Sequence, residues 1–143
     1  MKIAVGSDHA GFLLKEAIRH HLMAKGYQVS DYGTFSEESA DYPDYVHPLS
    51  RDVESGKHSF GIVVCGSGNG VNITANKHQG IRSALCWDTE IARLARLHND
   101  ANVLALPARF IDEASGLAIA DVFLSTEFEG GRHQARVDKI RSC

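Results

Sequence analysis

The sequence predicts an α/β fold in which helices cover both faces of a five-stranded parallel sheet. Short apolar runs alternate with segments of helical periodicity along the whole chain. The runs are apolar throughout instead of alternating with polar residues, which is typical of strands buried on both faces. Alternating strands and helices favour parallel strands joined by helical crossovers, a doubly wound, Rossmann-like arrangement.

Composition and charge narrow the function classes. The chain has 143 residues, of which 43% are hydrophobic and 23% charged, so we expect one soluble globular domain over residues 1–143. Its formal net charge of −3 gives no indication of nucleic acid or a membrane surface as a partner. We expect no leader before the first strand and no membrane span. Three cysteines without zinc-like spacing favour a reducing cytoplasmic location and no metal.

The first half of the chain contains three of the predicted strands. The elements are a strand, a helix, a strand, an irregular helix, a strand and a short helix, at residues 2–7, 12–25, 27–32, 42–55, 61–65 and 71–76. Gly26 and Gly56 are natural stops for the first two helices. Apolar residues of the first helix share one stripe that should face the sheet: Leu13, Leu14, Ala17, Ile18 and Leu22.

The second half continues the alternation and ends with a basic helix. Its elements are a strand, a helix, a strand and two helices, at residues 81–86, 88–98, 103–106, 111–124 and 132–141. Five parallel strands leave the orders 2-1-3-4-5 and 3-2-1-4-5 as the main candidates, and we favour the first. Strands 1 and 3 are then neighbours at the switch point, where ligands bind beyond the carboxyl ends. We therefore expect Asp8 and His9 beside Cys65.

The most informative stretch is FGIVVCGSGNGVNITANK at residues 60–77. Gly66, Gly68 and Gly70 follow the third strand at alternate positions. Glycine lets a ligand approach the backbone amides, and the unpaired N–H groups at the helix start favour an anion. Cys65 ends the strand at this turn, where the thiolate is favoured. We therefore interpret Cys65 as a candidate nucleophile or base, although a small buried hydrophobic residue is the alternative.

Familiar glycine motifs fit this turn poorly. A P-loop requires Lys-Ser/Thr where Val71 and Asn72 stand. A nucleophile elbow requires glycine in place of Cys65, so Ser67 is not an esterase serine. The dinucleotide fingerprint has a different spacing and normally follows the first strand. Because Asp88 lies about the expected twenty residues further on, nucleotide binding stays open.

Polar side chains after the fourth helix and beyond supply further candidates. His98 and Asn99 could take part in acid–base chemistry or could simply cap a helix. Arg132 and Arg136 are four residues apart and share one face of the last helix. Two guanidinium groups suit a phosphate monoester, although a solvated basic face has the same pattern. Arg109 follows the fifth strand and should lie at the same sheet edge as the thiol.

Six segments together resemble ribose-5-phosphate isomerases of the B type. They are SDHAGF at 7–12, DYPDY at 41–45, CGSGNGVNITANK at 65–77, GIRSAL at 80–85, HNDANVLAL at 98–106 and FEGGRHQARV at 128–137. The wider family includes galactose-6-phosphate isomerase subunits and allose-6-phosphate isomerase. Cys65 favours the ribose enzyme over the cysteine-lacking galactose-6-phosphate subunit. Isomerisation of a six-carbon sugar phosphate stays the alternative.

The resemblance implies an aldose–ketose isomerisation through an enediolate, with neither metal nor cofactor. Cys65 would carry a proton between C2 and C1 of the sugar, and Ser67, which is often threonine in the family, would assist transfer between the oxygens. The enediolate would be stabilised by the glycine-rich turn, at Gly66, Gly68, Asn69 and Gly70.

The same resemblance assigns the remaining roles. Ring opening would fall to Asp8 with His98. The phosphate would be held by His9, Arg109, Arg132 and Arg136, and the sugar hydroxyls by Tyr42 and Asn99. Family members are dimers, in some cases dimers of dimers, whose sites use both chains, which implies that His98 and Arg109 come from the partner. A non-catalytic phosphate- or nucleotide-sensing domain on the same fold is the alternative from another class.

Overall fold

The computed structural model describes residues 1–141, so Cys143 lies outside the described part of the chain. Within that part the predicted elements are all present, with ends that shift by one or two residues. They are β1 (Lys2–Ser7), α1 (Phe12–Ala24), β2 (Gln28–Asp31), α2 (Pro43–Glu54), β3 (Phe60–Cys65), α3 (Asn69–Ala75), β4 (Ser83–Leu85), α4 (Thr89–Asn99), β5 (Val103–Pro107), α5 (Glu113–Ser125) and α6 (Arg132–Ile140).

All five strands pair in parallel in the order β2-β1-β3-β5-β4. The α/β class and the pairing of β1 with β3 are therefore confirmed. The favoured order needs a correction at its last two strands, because β5 lies inside the sheet and β4 forms the edge. Every residue of β5 is buried, whereas the three residues of β4 are only partly buried. A fully apolar strand is more stable between two neighbours than at an edge.

Apolar side chains cover both faces of the sheet, and alternate residues of each strand point to opposite faces. In β3, Ile62 and Val64 belong to the cluster that packs against α1 and α5. Val63 and Cys65 belong to the other cluster, together with residues of α2 and α3. The alternation therefore places the Cys65 side chain on the α2–α3 face. No helix among residues 1–141 is long and apolar enough to span a membrane.

The apolar stripe of α1 needs one correction. Leu13 is 64% exposed, whereas Lys15 is completely buried. The Lys15 ammonium lies 2.7 and 2.8 Å from the two carboxylate oxygens of Asp31, at the end of β2, and 3.2 Å from Glu16 Oε1. This pairing neutralises a charge that would be costly to bury alone. Asp31 Oδ1 also accepts the Gly33 N–H at 2.9 Å, which fixes the start of the following loop.

Replacing Asp31 with alanine should lower the free energy of unfolding by about 3 kcal/mol, because the buried Lys15 ammonium would lose its main counter-charge. Urea denaturation at neutral pH measures this loss. Glu90→Ala is the matched control, since it breaks the solvent-exposed pair with Arg93. The control substitution should lower the free energy of unfolding by less than about 1 kcal/mol. Equal losses in the two variants would contradict the structural role of the buried pair.

Candidate active site

A cleft of about 570 Å³ opens beyond the carboxyl ends of β1 and β3, as expected for a switch point. We call it the Cys65 cleft. Eight residues that the sequence analysis selected line it: Asp8, His9, Tyr42, Cys65, Gly66, Ser67, Gly70 and Arg109. Ala10 and Phe110 complete the lining.

Asp8 is held in place by the junction of β1 and α1. Its N–H donates to Val64 O at 3.3 Å, across the β1–β3 pair, and its Oδ1 accepts the Gly11 N–H at 3.1 Å. A Cβ at Gly11 would lie 2.4 Å from Val64 O, so only glycine allows this close approach. The carboxylate is therefore oriented by backbone groups and is only 8% exposed.

The glycine-rich turn packs tightly around Cys65, which is 5% exposed. Gly68, the N-cap of α3, has φ +78°, a left-handed conformation that favours glycine. Ser67 Oγ accepts the Asn69 N–H at 3.3 Å, which holds the hydroxyl at the turn. A Cβ at Gly70 would lie 2.4 Å from Tyr42 Cζ, so the absence of a side chain lets the phenol ring lie against α3.

His9 is oriented by the loop between β2 and α2. The Ala40 N–H donates to His9 Nδ1 at 3.1 Å. Nδ1 also lies 3.4 Å from Ala40 O, but the contact with the N–H is the shorter one, and in it Nδ1 accepts. Nδ1 is thus held by the loop backbone, which leaves Nε2 available to hydrogen-bond a ligand.

Arg109 reaches the cleft of its own chain. Its N–H donates to Gly66 O at 3.0 Å, and a Cβ at Gly66 would lie 3.2 Å from Arg109 Cδ and Nη1. The expectation that a partner supplies this guanidinium therefore needs correction. The reason is the strand order: β5 pairs directly with β3, so the residues that follow both strands are neighbours.

Six predicted site residues do not line this cleft, and one of them is Gly68, the N-cap of α3. The Asn69 side chain is exposed at the start of α3, and Arg132 and Arg136 are exposed on α6. Asn99 lines a separate cleft of about 500 Å³ beside β4. His98 stacks on His133, with 4.2 Å between ring centroids and an interplanar angle of 15°.

Sequence reasoning missed some contributors to the site, among them Phe110 and Ala40. Phe110 is 75% exposed and lines the cleft next to Arg109. An aromatic residue in a loop after a buried strand was the available signal for it. Ala40 contributes only a backbone N–H, and a backbone donor leaves no signal in the residue type.

Comparisons with known proteins agree with one another. The sequence profile of the family described as Ribose/Galactose Isomerase matches residues 3–140. Ribose-5-phosphate isomerase B of Escherichia coli (strain K12) is 45% identical over 139 residues, which cover 97% of this chain and 93% of that protein.

Solved structures that resemble this chain are also ribose 5-phosphate isomerases. A ribose 5-phosphate isomerase from Thermotoga maritima superposes with a TM-score of 0.97 at 51% identity, covering 99% of this chain and 98% of the other. Ribose-5-phosphate isomerase B from Mycoplasma genitalium, with bound ribulose 5-phosphate, has a TM-score of 0.94 at 41% identity and coverage of 99% and 94%.

Gly70→Ala tests the close approach of Tyr42 to α3. The new methyl group would collide with the phenol ring, so we expect a loss of about 1–3 kcal/mol in the free energy of unfolding. Adding Tyr42→Ala removes the collision, and the double variant should then be less destabilised than the sum of the two single variants. Urea denaturation of the four proteins measures the cycle. Additive losses would show that the ring does not limit the space at residue 70.

Proposed function

We propose that this chain, which belongs to the ribose/galactose isomerase family, interconverts ribose 5-phosphate and ribulose 5-phosphate. One observation carries this proposal: a thiol, a carboxylate, an imidazole and a guanidinium line one cleft, at Cys65, Asp8, His9 and Arg109. Substrate identity is supported by the E. coli relative, named ribose-5-phosphate isomerase B, and by the M. genitalium structure with bound ribulose 5-phosphate.

Cys65 acts as the base in the proposed reaction. The thiolate takes the hydrogen on C2 as a proton, the released electron pair forms the C1–C2 double bond, and the C1 carbonyl becomes the enediolate oxyanion. Return of the proton to C1, with transfer of the O2 proton to O1, gives the ketose. The Ser67 hydroxyl lies in the same turn and assists the oxygen-to-oxygen transfer. Backbone amides of the turn stabilise the developing oxyanion, at Gly66, Gly68, Asn69 and Gly70.

The phosphate occupies the rim of the Cys65 cleft. The His9 Nε2–H and the Arg109 guanidinium donate to its oxygens. Tyr42, held against Gly70, donates its hydroxyl to the sugar. Asp8 takes the role of acid–base group in opening the closed sugar ring, because its carboxylate lies in the cleft and is fixed by the Gly11 N–H.

A second copy of the chain completes the site in this proposal. His98, Asn99, Arg132 and Arg136 do not line the cleft of their own chain, and a twofold dimer would bring those of each copy to the other's cleft. His98 then acts with Asp8 in ring opening. Asn99 contacts the sugar, and the two arginines also bind the phosphate. We place this dimer in the cytoplasm, in keeping with the free thiols of Cys65 and Cys86.

Cys65→Ala should lower kcat for ribose 5-phosphate by at least about a hundredfold, the usual contribution of a positioned base. Cys86→Ala is the matched control. Burial raises the pKa of the Cys86 thiol to about 12, so this thiol stays protonated, and it lies in the cluster on the other face of the sheet. Steady-state rates with EDTA present measure both variants. Near-normal turnover by Cys65→Ala would reject the proposed base.

The same assay distinguishes the possible sugars. Ribose 5-phosphate should give the highest kcat/KM when compared with allose 6-phosphate and galactose 6-phosphate. A higher value for either six-carbon substrate would replace the pentose assignment, while leaving the isomerase chemistry in place.

Subunit mixing tests the shared site. Cys65→Ala and His98→Asn should each be nearly inactive as pure proteins. Dissociated and reassociated in equal amounts, they should regain about a quarter of the wild-type activity, because half of the dimers are mixed and each mixed dimer has one intact site.

A control mixture shows whether recovery reflects sharing. Cys65 and Asp8 line the same cleft of one chain, so mixing Cys65→Ala with Asp8→Asn should restore nothing. Recovery of activity in this control mixture would contradict a site shared between chains. So would the absence of recovery when Cys65→Ala is mixed with His98→Asn.

A further inference from the structure

Three side chains outside the Cys65 cleft form a cluster of metal-ligating groups. His98 lies near the end of α4, Glu129 in the loop before α6 and His133 in the first turn of α6. Their candidate ligand atoms all lie within 4.8 Å of one another. Glu129 Oε2 is 3.9 Å from His98 Nε2 and 3.5 Å from His133 Nε2. We propose that this cluster binds a divalent ion of the zinc type and that the bound ion inhibits the enzyme.

Backbone contacts hold the three positions together. The Glu129 N–H donates to Leu97 O at 3.1 Å, which ties the loop to the residue before His98. The His133 N–H donates to Gly130 O at 3.0 Å, so the chain turns directly from the carboxylate into α6. Gly130 has φ +69°, a left-handed conformation that suits glycine at this tight turn. These backbone hydrogen bonds bring the carboxylate and both rings close to one another.

An independent observation points to a ligand at this place. The His133 side chain is 9% exposed, and its Nε2 is buried without a hydrogen-bond partner. Buried polar atoms in folded proteins are nearly always paired, so an unpaired one calls for an explanation. The buried Nε2, 3.5 Å from the Glu129 carboxylate, is therefore placed to ligate a metal ion.

The donor set selects the class of ion. Two imidazole nitrogens and one carboxylate oxygen suit Zn²⁺ and leave a fourth position open, whereas Mg²⁺ and Ca²⁺ prefer oxygen ligands throughout. Bonds of about 2.1 Å in a tetrahedral site place ligand atoms about 3.4 Å apart. Glu129 and His133 already have nearly this spacing.

Binding requires a small movement of one ring. His98 must turn out of its stack with His133, and its side chain is 37% exposed, so it has room to rotate. The Glu129 side chain is 56% exposed, so it can move together with the His98 ring. Arg132 and Arg136 lie on the same helix but are exposed, so water and salt screen their repulsion of a cation.

The inhibitory effect rests on the proposed function, whereas the binding site does not. In that function His98 serves as an acid–base group in ring opening. A metal bound to its Nε2 occupies the lone pair that would exchange a proton. The ion therefore reduces turnover of the closed-ring substrate.

Calorimetric titration of the metal-stripped full-length protein with Zn²⁺ tests the site. The titration is done in a Cys65→Ser background, because a free thiol is itself a zinc ligand. We expect one Zn²⁺ per chain in that background. Glu129→Gln and His133→Gln should each weaken binding at least tenfold. Because His133 is buried and its variant can fail to fold, the exposed Glu129→Gln carries the test by itself.

Matched controls test whether weaker Zn²⁺ binding results merely from the loss of any surface charge or any histidine. Glu127→Gln and His20→Gln, both at exposed positions, should bind Zn²⁺ as the background protein does. Loss of binding on introducing Cys65→Ser, or undiminished binding in Glu129→Gln, would overturn the proposed site. With wild-type Cys65, Zn²⁺ should reduce isomerase turnover, and Glu129→Gln should need at least tenfold more Zn²⁺ for the same inhibition. Zinc binding without inhibition would retain the site and reject its link to ring opening.

Discussion

The pairing of β1 with β3 in the middle of the sheet is the constraint on which the rest of the site depends. Ser7 and Val64 are partners in this pair, so both strands end at the same level. Asp8 and Cys65, one residue further along each strand, are thereby brought to one cleft. Both strands are apolar and buried, so a shift in register would expose buried side chains and is strongly disfavoured.

Close contacts of the backbone fix the side chains at the shared end of β1 and β3. The α1 start passes within reach of Val64 O only because residue 11 has no side chain, and Tyr42 approaches α3 only because residue 70 has none. These contacts leave little freedom to the carboxylate and the phenol ring. Pre-organised groups of this kind favour catalysis, because the cost of orienting them is met during folding.

The distribution of candidate groups over two regions connects the proposals for catalysis and inhibition. The Cys65 cleft contains a thiol, a carboxylate, an imidazole and one guanidinium. The second region, around α6, contains His98, two more arginines and the His98–Glu129–His133 cluster. In the proposed dimer, groups of the second region of one copy act at the Cys65 cleft of the other copy. A ligand at the second region of one copy would then affect catalysis at the other copy's cleft.

The amino-acid sequence was sufficient to predict the strands, the helices and the thiol at the end of β3, because these depend on local periodicity and on neighbours along the chain. It also indicated that β1 and β3 are adjacent, since a parallel sheet with short crossovers has few permitted orders. Among the candidate residues, it placed Asp8 and His9 beside Cys65, and all three line the cleft, whereas Tyr42 was selected through the family resemblance.

Features that depend on competition between distant segments became visible only in the folded chain. The inner position of β5 reflects its greater burial compared with β4, and it is this pairing that delivers Arg109 to its own cleft. Lys15 is buried because Asp31 from another element neutralises it. His98 and His133 meet through the packing of α6 on α4. Such contacts join residues far apart in sequence, and no local pattern encodes which of several distant partners a side chain will meet.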